Sequence, residues 1–433
     1  MVCKSSDERE GASLKEHLDK RKKSAASQWS LRDEIVLIGA GQAIPIPGRA
    51  DQTYPFRAHS EYFYLTDRNR PGCVLAFDPK EGWTDFVPKI TQDEAVWMGS
   101  VPDEGVSVAN LALWLRRRRG RRIACLGSAI PRIRSDRFLE SELRQKLTEV
   151  RRPKDEVELE RMRKAQLATR AGFETLRPLL RPGTTERAAQ IEIEAAFFRN
   201  GADRTAYDTI IGGGPNSAVF HSTPSQRAFR DGELVLVDAG AEYRGYASDV
   251  TRTFPVSGRF TQEQADIYDI VLAAGNAAAR QCAPQVEYKE IHLQASRNIA
   301  QGLIDFGLLQ GNVDSLVEQG AQALFFPHGI GHMVGLGVRD AGGYQPGRKP
   351  GKALGLRFLR IDLPLKPGYV VTIEPGIYFI PALLEDARLR QRFHDVVNWT
   401  RVDRMMGFGG IRIEDNVLVT QDGFEVLTAN IPK

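Results

Sequence analysis

The apolar positions change their spacing near residue 152. Before that point short apolar runs, EIVLIGA, GCVLAFDP, GWTDFVP and RIACLGS, have the length and the flanking turn residues of strands. They alternate with TQDEAVWMG and Val108–Leu115, which read as helices, so residues 1–152 are expected to form a small α/β domain with a mixed sheet. The first 28 residues are highly charged and read as a frayed lead-in to a helix. At RRPKDEVELERMRKA a charged linker with Pro153 gives way to amphipathic periodicity, which marks a domain boundary near Arg151. Helices are expected through about Leu176, over Thr185–Asn200, over Gln262–Gln281 and over Tyr288–Phe306, all within a second domain spanning residues 153–433.

Between those helices lies LVLVDAGAEYRGYASDVTRTFPV. Its first run, Leu234–Val237, is a buried strand in pattern and delivers Asp238 at its end. A polar, Gly-containing turn follows, and a second run, Ala247–Phe254, carries Asp249 among β-branched residues, so a hairpin would bring the two aspartates from facing strands. Paired buried carboxylates need a counter-charge, and a divalent cation is a strong one, although Asx turns also explain Asp at strand ends. Further along, VVTIEPGIYF places Glu374 at the end of a β-branched strand. GGIRIEDNVLVT places Glu414 in the middle of another, with Arg412 on the same face two residues earlier.

Histidines complete the candidate chemistry. His328 and His332 stand four apart in FFPHGIGHMVGLGVRDAGGY, but Gly329, Gly331 and Gly335 argue against a helix and for a backbone that passes close to something. One imidazole facing a metal and the other held for substrate is one reading; two capping histidines is the other. His221 ends the apolar run SAVF and reads equally as a buried structural residue or a site residue, while His59, within YPFRAHSEYFYLTD, reads as structural. The triple glycine Gly212–Gly214 has neither P-loop nor GxGxxG spacing and is expected to be a sharp turn or bulge leading into another strand-like run. With four strand-borne acids and one imidazole, Asp238, Asp249, His332, Glu374 and Glu414, two divalent ions would balance the charge almost one for one.

Composition narrows the field. At 433 residues, 42% hydrophobic and 26% charged, the chain is of soluble globular type with room for two domains, and no apolar run approaches bilayer length. The net charge of +4 does not point to nucleic acid, and the run LRRRRGRR (Leu115–Arg122) reads as a solvated helix end closed by Gly120. Cys3, Cys73, Cys125 and Cys282 are scattered without a zinc or disulfide spacing, which suits free thiols in a cytoplasmic protein.

The ordered motifs DAG…SDVTRT, PHGIGH, TIEPGIYF and GGIRIEDN resemble those of the dinuclear "pita-bread" metallopeptidases, the family of methionine aminopeptidase, aminopeptidase P and Xaa-Pro dipeptidase (prolidase). The likeness runs closely from about Arg152 to the C-terminus and more loosely through YPFRAHSEYFYLTD, which resembles their N-terminal domain; EPGIYFIPALL, Asn398–Trp399 and FGGIRIEDNV are most similar to bacterial Xaa-Pro dipeptidases. The resemblance implies an α/β N-terminal domain followed by a pita-bread catalytic domain. It also implies that Asp238 and Asp249 chelate one ion and that Asp249, His332, Glu374 and Glu414 chelate the other, with Asp249 and Glu414 bridging. Oxygen-rich ligation with one imidazole suits Mn²⁺ first, then Co²⁺ or Zn²⁺.

It further implies hydrolysis of the Xaa-Pro bond by a hydroxide between the ions, with Glu374 as the base that moves the proton to the leaving nitrogen. His221 and His328 would orient substrate and stabilise the oxyanion, and Arg412 would pin a ligand carboxylate. Arg388 falls where prolidases carry an arginine for the dipeptide's free carboxylate, with a solvated charge cluster as the other reading. One departure stands out: Val338-Arg339-Asp340 replaces the family's Val-His-Asp, so Arg339 either binds substrate carboxylate or turns outward. The expected partners are a small Xaa-Pro peptide and a second copy in a homodimer, with no nucleic acid and no membrane. Aminopeptidase P activity on longer peptides is the alternative, and a metal-free pita-bread binding module a further one.

Overall fold

The structure is a computed structural model, and it describes residues 6–49, 52–99 and 104–433. Cys3 lies outside them. The chain divides into two compact units, residues 1–151 and 152–433.

In the first unit five strands, β1 Ile35–Gly39, β2 Val74–Asp78, β3 Gly82–Val87, β4 Val106–Ser107 and β5 Ile123–Gly127, form one sheet in the order β4-β3-β2-β1-β5. The β1–β5 and β3–β4 pairs are parallel and the others antiparallel, which makes the mixed sheet that the alternation of runs predicts. Helices α1 Ser6–Trp29, α2 Ser60–Thr66, α3 Gln92–Met98, α4 Leu111–Arg116 and α5 Arg137–Arg151 complete the unit. The lead-in is therefore a regular helix. Buried Arg21, Ala25 and Trp29 recur every fourth residue on α1, and the Trp29 indole donates to Leu143 O at 3.1 Å on α5. His59 caps α2, its Nδ1 accepting from the Glu61 amide at 3.2 Å, as a structural histidine would. The arginine run is not wholly solvated: Arg118 is buried on the Trp114 ring at 3.5 Å and donates to Asp78, as does Arg121. Asp78 collects these charges at the end of β2 and turns the run inward, which spacing alone does not reveal.

The second unit begins with α6 Glu156–Leu176 and α7 Glu186–Arg199, packed on one another. Each starts where a side chain caps it: Asp155 with Glu158 forms a capping box on α6, and Thr185 Oγ1 accepts from Ala188 N on α7. Strands β6 Arg204–Thr205, β7 Ile210–Gly213, β8 Leu234–Asp238, β9 Ala241–Tyr243, β10 Tyr246–Ala247 and β11 Thr251–Pro255 follow. β8 is the centre of the sheet β11-β8-β7, and its apolar side chains pack with Phe173, Ile193 and Phe197 of the helices. Next come α8 Gln262–Arg280 and α9 Tyr288–Asp305, another packed pair. They share a core with residues of β14 Val370–Ile373, β15 Gly376–Tyr378, β16 Gly410–Arg412 and β17 Asp415–Val419. Between the helices and these strands lie β12 Gly343–Tyr344 and β13 Ile361–Asp362, a parallel pair, and β18 Phe424–Val426 closes the sheet β14-β17-β18.

Three readings are corrected by the strands. Ala247–Phe254 is not one strand: β10 pairs with β9, β11 pairs with β8, and Asp249 sits in the break between them. Glu414 likewise lies between β16 and β17 and bridges to Thr251. The break at Asp249 depends on Gly240, where an added Cβ would lie 1.9 Å from Ser248 O. The expected strand after Gly212–Gly214 is also absent; a 3₁₀ turn, Gly214–Ala218, takes its place. Overpacking of this kind costs on the order of 2 kcal/mol. Gly240→Ala is accordingly expected to lower the calorimetric unfolding temperature and to weaken Mn²⁺ binding together; an unchanged transition would show that the strand break relaxes freely.

Candidate active site

The acids sit where strands stop or break. Asp238 ends β8 and pairs in register with both Ile210 of β7 and Thr251 of β11. Glu374 follows β14, its amide donating to Ile330 O at 2.8 Å, and His332 is fastened to the same strand by Thr372 N→His332 O at 2.8 Å. Gly331 permits that approach, since a Cβ there would fall 2.2 Å from Thr372 O and 2.5 Å from Tyr288 Oη. The glycines of PHGIGH thus serve the close passage that their spacing suggests. Asp249 is held in its break by Asn416, which accepts from Asp249 N at 3.1 Å and donates to Asp249 O at 2.6 Å.

These elements bring the acids and imidazoles together on one cavity of about 950 Å³. Asp238, Asp249, His332, Glu374, Glu414, His221, His328, Arg339 and Arg412 all line it. Ligand atoms of Asp249, His332 and Glu414 lie within 4.8 Å of one another, and His332 Nε2 is 3.3 Å from Asp249 Oδ2 and 3.7 Å from Glu374 Oε1. Arg412 is buried among the acids. It donates to Asp238 Oδ2 at 2.6 Å, to Thr251 Oγ1 at 3.0 Å and to Tyr378 Oη at 3.0 Å, and the Thr251 hydroxyl donates in turn to Glu414 Oε2 at 2.6 Å. Tyr207 holds the other Asp238 oxygen, donating to Oδ1 at 2.6 Å.

His221 is exposed on the cavity wall, which removes the buried structural reading. The turn before it is braced by buried Glu186, whose carboxylate accepts from Gly213 N, Asn216 Nδ2, Ser225 N and Ser225 Oγ. His328 lies 2.9 Å from Tyr378 Oη through Nε2 and 2.8 Å from Gly329 O through Nδ1. Since a carbonyl only accepts, Nδ1 carries the proton and Nε2 accepts from the phenol. Arg388 is corrected. Its side chain is 93% exposed, it pairs with Asp386 at the start of the short helix Ala387–Arg392, and it is not on the cavity wall. Arg360, just before β13, lines the cavity beside Arg339 instead. Sequence reasoning missed Arg360, Tyr207 and Tyr378. GLRFLRIDL offers no periodic signal, but TIEPGIYF places Tyr378 four residues after Glu374.

Charge is the dominant feature. Burial, and then the surrounding carboxylates, push the Asp238, Glu374 and Glu414 carboxyls above their ordinary values, with Arg412 pulling the other way. Burial would lower His332, but Asp249 and Glu374 outweigh it and raise it. Burial and then Arg412 push His328 down to about 3, which favours the neutral imidazole near neutral pH. One fixed guanidinium cannot balance this many buried acids. An oxygen-rich cluster with one imidazole is suited to hard or borderline divalent cations, so the residues present fit such a metal.

A family model described as metallopeptidase family M24 matches residues 160–421, and one described as the aminopeptidase P N-terminal domain matches residues 17–109. Xaa-Pro aminopeptidase of Escherichia coli is 32% identical over 425 residues, covering 89% of this chain and 88% of that protein. Human Xaa-Pro dipeptidase is 33% identical over 402 residues, covering 86% and 82%. Among solved structures, zinc-substituted E. coli aminopeptidase P in complex with product superposes with a TM-score of 0.79 at 29% identity, covering 96% of each chain. The fold and the acid-lined cavity are therefore those of a pita-bread metallopeptidase. The chain belongs to metallopeptidase family M24, among its Xaa-Pro peptidases.

The raised carboxyls set the pH dependence of the metal-free protein. The folded chain keeps those protons above the ordinary values of 3.8 and 4.5, so it binds more protons than the unfolded chain across that window. Its stability therefore falls as pH rises through the raised folded values. In chelator, the urea midpoint is expected to drop from mildly acidic to neutral pH, less so in Glu414→Gln, and added Mn²⁺ is expected to reverse the drop. A wild-type midpoint that rises over this window in chelator would contradict the charge assignment.

Proposed function

We propose that this chain is an Xaa-Pro dipeptidase that uses two divalent ions, Mn²⁺ first among Mn²⁺, Co²⁺ and Zn²⁺. Asp238 and Asp249 hold one ion and Asp249, His332, Glu374 and Glu414 the other; the convergence of these side chains on one cavity supports that division. The bound ions supply Lewis-acid polarisation and a water acidified toward neutrality. Glu374 takes the proton and delivers it to the leaving proline nitrogen, which has no hydrogen of its own. His328, neutral and braced by Tyr378, and exposed His221 orient the peptide, while Arg412 holds Asp238 against the repulsion of its neighbours. The reading carries with it a catalytic domain of residues 153–433 behind an N-terminal domain of residues 1–152, a homodimer and a cytoplasmic location. Among the described residues no helix is long and apolar enough to cross a membrane.

The observation that favours a dipeptide is the pair Arg339 and Arg360. Both line the cavity, and among the described residues neither guanidinium has a hydrogen-bond or ion-pair partner. Both residues are exposed on the cavity wall, yet partial desolvation and then the charge of Arg339 push Arg360 below its ordinary value, so an anion beside the two is favoured. A free C-terminal carboxylate adjoining the proline is such an anion, and guanidinium forks suit it. This assigns to Arg339 and Arg360 the role that Arg388 cannot fill.

The second reading, release of the first residue from longer Xaa-Pro peptides, draws support from the relatives named Xaa-Pro aminopeptidase, which match at similar identity. Steady-state kinetics separate the two. The Mn²⁺-loaded enzyme is expected to hydrolyse Ala-Pro with a higher kcat/KM than Ala-Pro-Ala amide. Arg339→His is expected to raise KM for Ala-Pro about tenfold, the scale of one charged hydrogen bond, without changing the amide's. Faster turnover of the amide by wild type would assign the aminopeptidase activity. Unchanged dipeptide kinetics in Arg339→His would remove any role for that side chain.

A further inference from the structure

The cavity wall carries a feature that neither catalysis nor stability uses. Thr209, 3% exposed, lines the cavity immediately before β7, and among the described residues its Oγ1 has no hydrogen-bond partner. Asp208 beside it is exposed, and its other neighbours here are engaged or apolar. Tyr207 is committed to Asp238, Ile210 pairs in register with Asp238, and Gln190, also on this wall, spends its amide on Arg187 and Glu194. A buried hydroxyl without a partner is destabilising, so its natural place is a subsite whose ligand completes it.

The proposed dipeptide fixes which part of the ligand arrives there. With its carboxylate at Arg339 and Arg360, near Glu374, the rest of the dipeptide meets the remaining lining of the cavity, to which Tyr207, Thr209 and Ile210 belong. We infer that Thr209 is a specificity residue that selects a short, uncharged polar side chain, serine or asparagine, in the residue before proline. The inference rests on the dipeptidase reading for the substrate's direction. Asp208, exposed on the same wall, works against an acidic residue there, and the Thr209 hydroxyl is on a short side chain that a short polar partner can meet. A site that hydrogen-bonds a substrate hydroxyl discriminates strongly against the analogue lacking it, because its own polar group is then left unpaired.

The test compares Ser-Pro with 2-aminobutyryl-Pro, which replaces the hydroxyl by a methyl, using Ala-Pro as reference. The Mn²⁺-loaded wild type is expected to favour Ser-Pro over 2-aminobutyryl-Pro about tenfold in kcat/KM, chiefly through KM. Thr209→Val, of the same shape, is expected to bring the ratio to about one while keeping Ala-Pro turnover, and Thr209→Ser to retain the preference. A wild-type ratio near one, or a ratio unmoved in Thr209→Val, with Ala-Pro still cleaved, overturns this inference alone. Failure to cleave Ala-Pro overturns the dipeptidase reading and this inference with it.

Discussion

Concentrated negative charge in a buried place is the constraint from which the rest of the catalytic unit follows. Asp238, Asp249, Glu374 and Glu414 come from three separate regions of the chain and share one cavity with a single buried guanidinium, Arg412. No arrangement of dipoles offsets four such groups, and burial with its like-charged neighbours pushes the Asp238, Glu374 and Glu414 carboxyls above their ordinary values. The scaffold resists that repulsion with strand ends. Asp238 and Glu374 stand at strand ends and Asp249 and Glu414 in breaks between strands, so neighbouring sheets fix the backbone of each while the side chains line the cavity.

Arg412 organises this cluster more than it neutralises it. Its three donors reach Asp238, Thr251 and Tyr378, and Thr251 passes the link to Glu414. Tyr378 extends it to His328. A single side chain thereby fixes acids on two sheets and the tautomer of a neutral imidazole. Replacing it by lysine would keep a charge and lose the fork that makes those connections.

Much of this was legible in the sequence. Helices with capping residues, such as Thr185 through Asn200, are found within a residue of their bounds because local chemistry sets both ends. Asp238, Glu374 and Glu414 stand out because each belongs to a strand-like run, Asp249 because its run faces that of Asp238, and His332 because glycines crowd around it. What the runs hide is interruption. Ala247–Phe254 is continuous in hydropathy yet splits at Asp249, because Gly240 admits Ser248 O and Asn416 supplies the backbone bonds that a partner strand would. Arg388 and Arg360 show another limit. Both stand in arginine-rich stretches of irregular chain, and only the path of that chain decides which one reaches the cavity and which pairs with Asp386 in solvent.

The clasp of Asn416 on the backbone of Asp249 uses an amide that no cation can displace and no proton can titrate. Because it grips peptide groups instead of the carboxylate, the fold alone sets where the backbone of Asp249 stands. Any cation that the cluster takes would meet a socket whose frame is already finished.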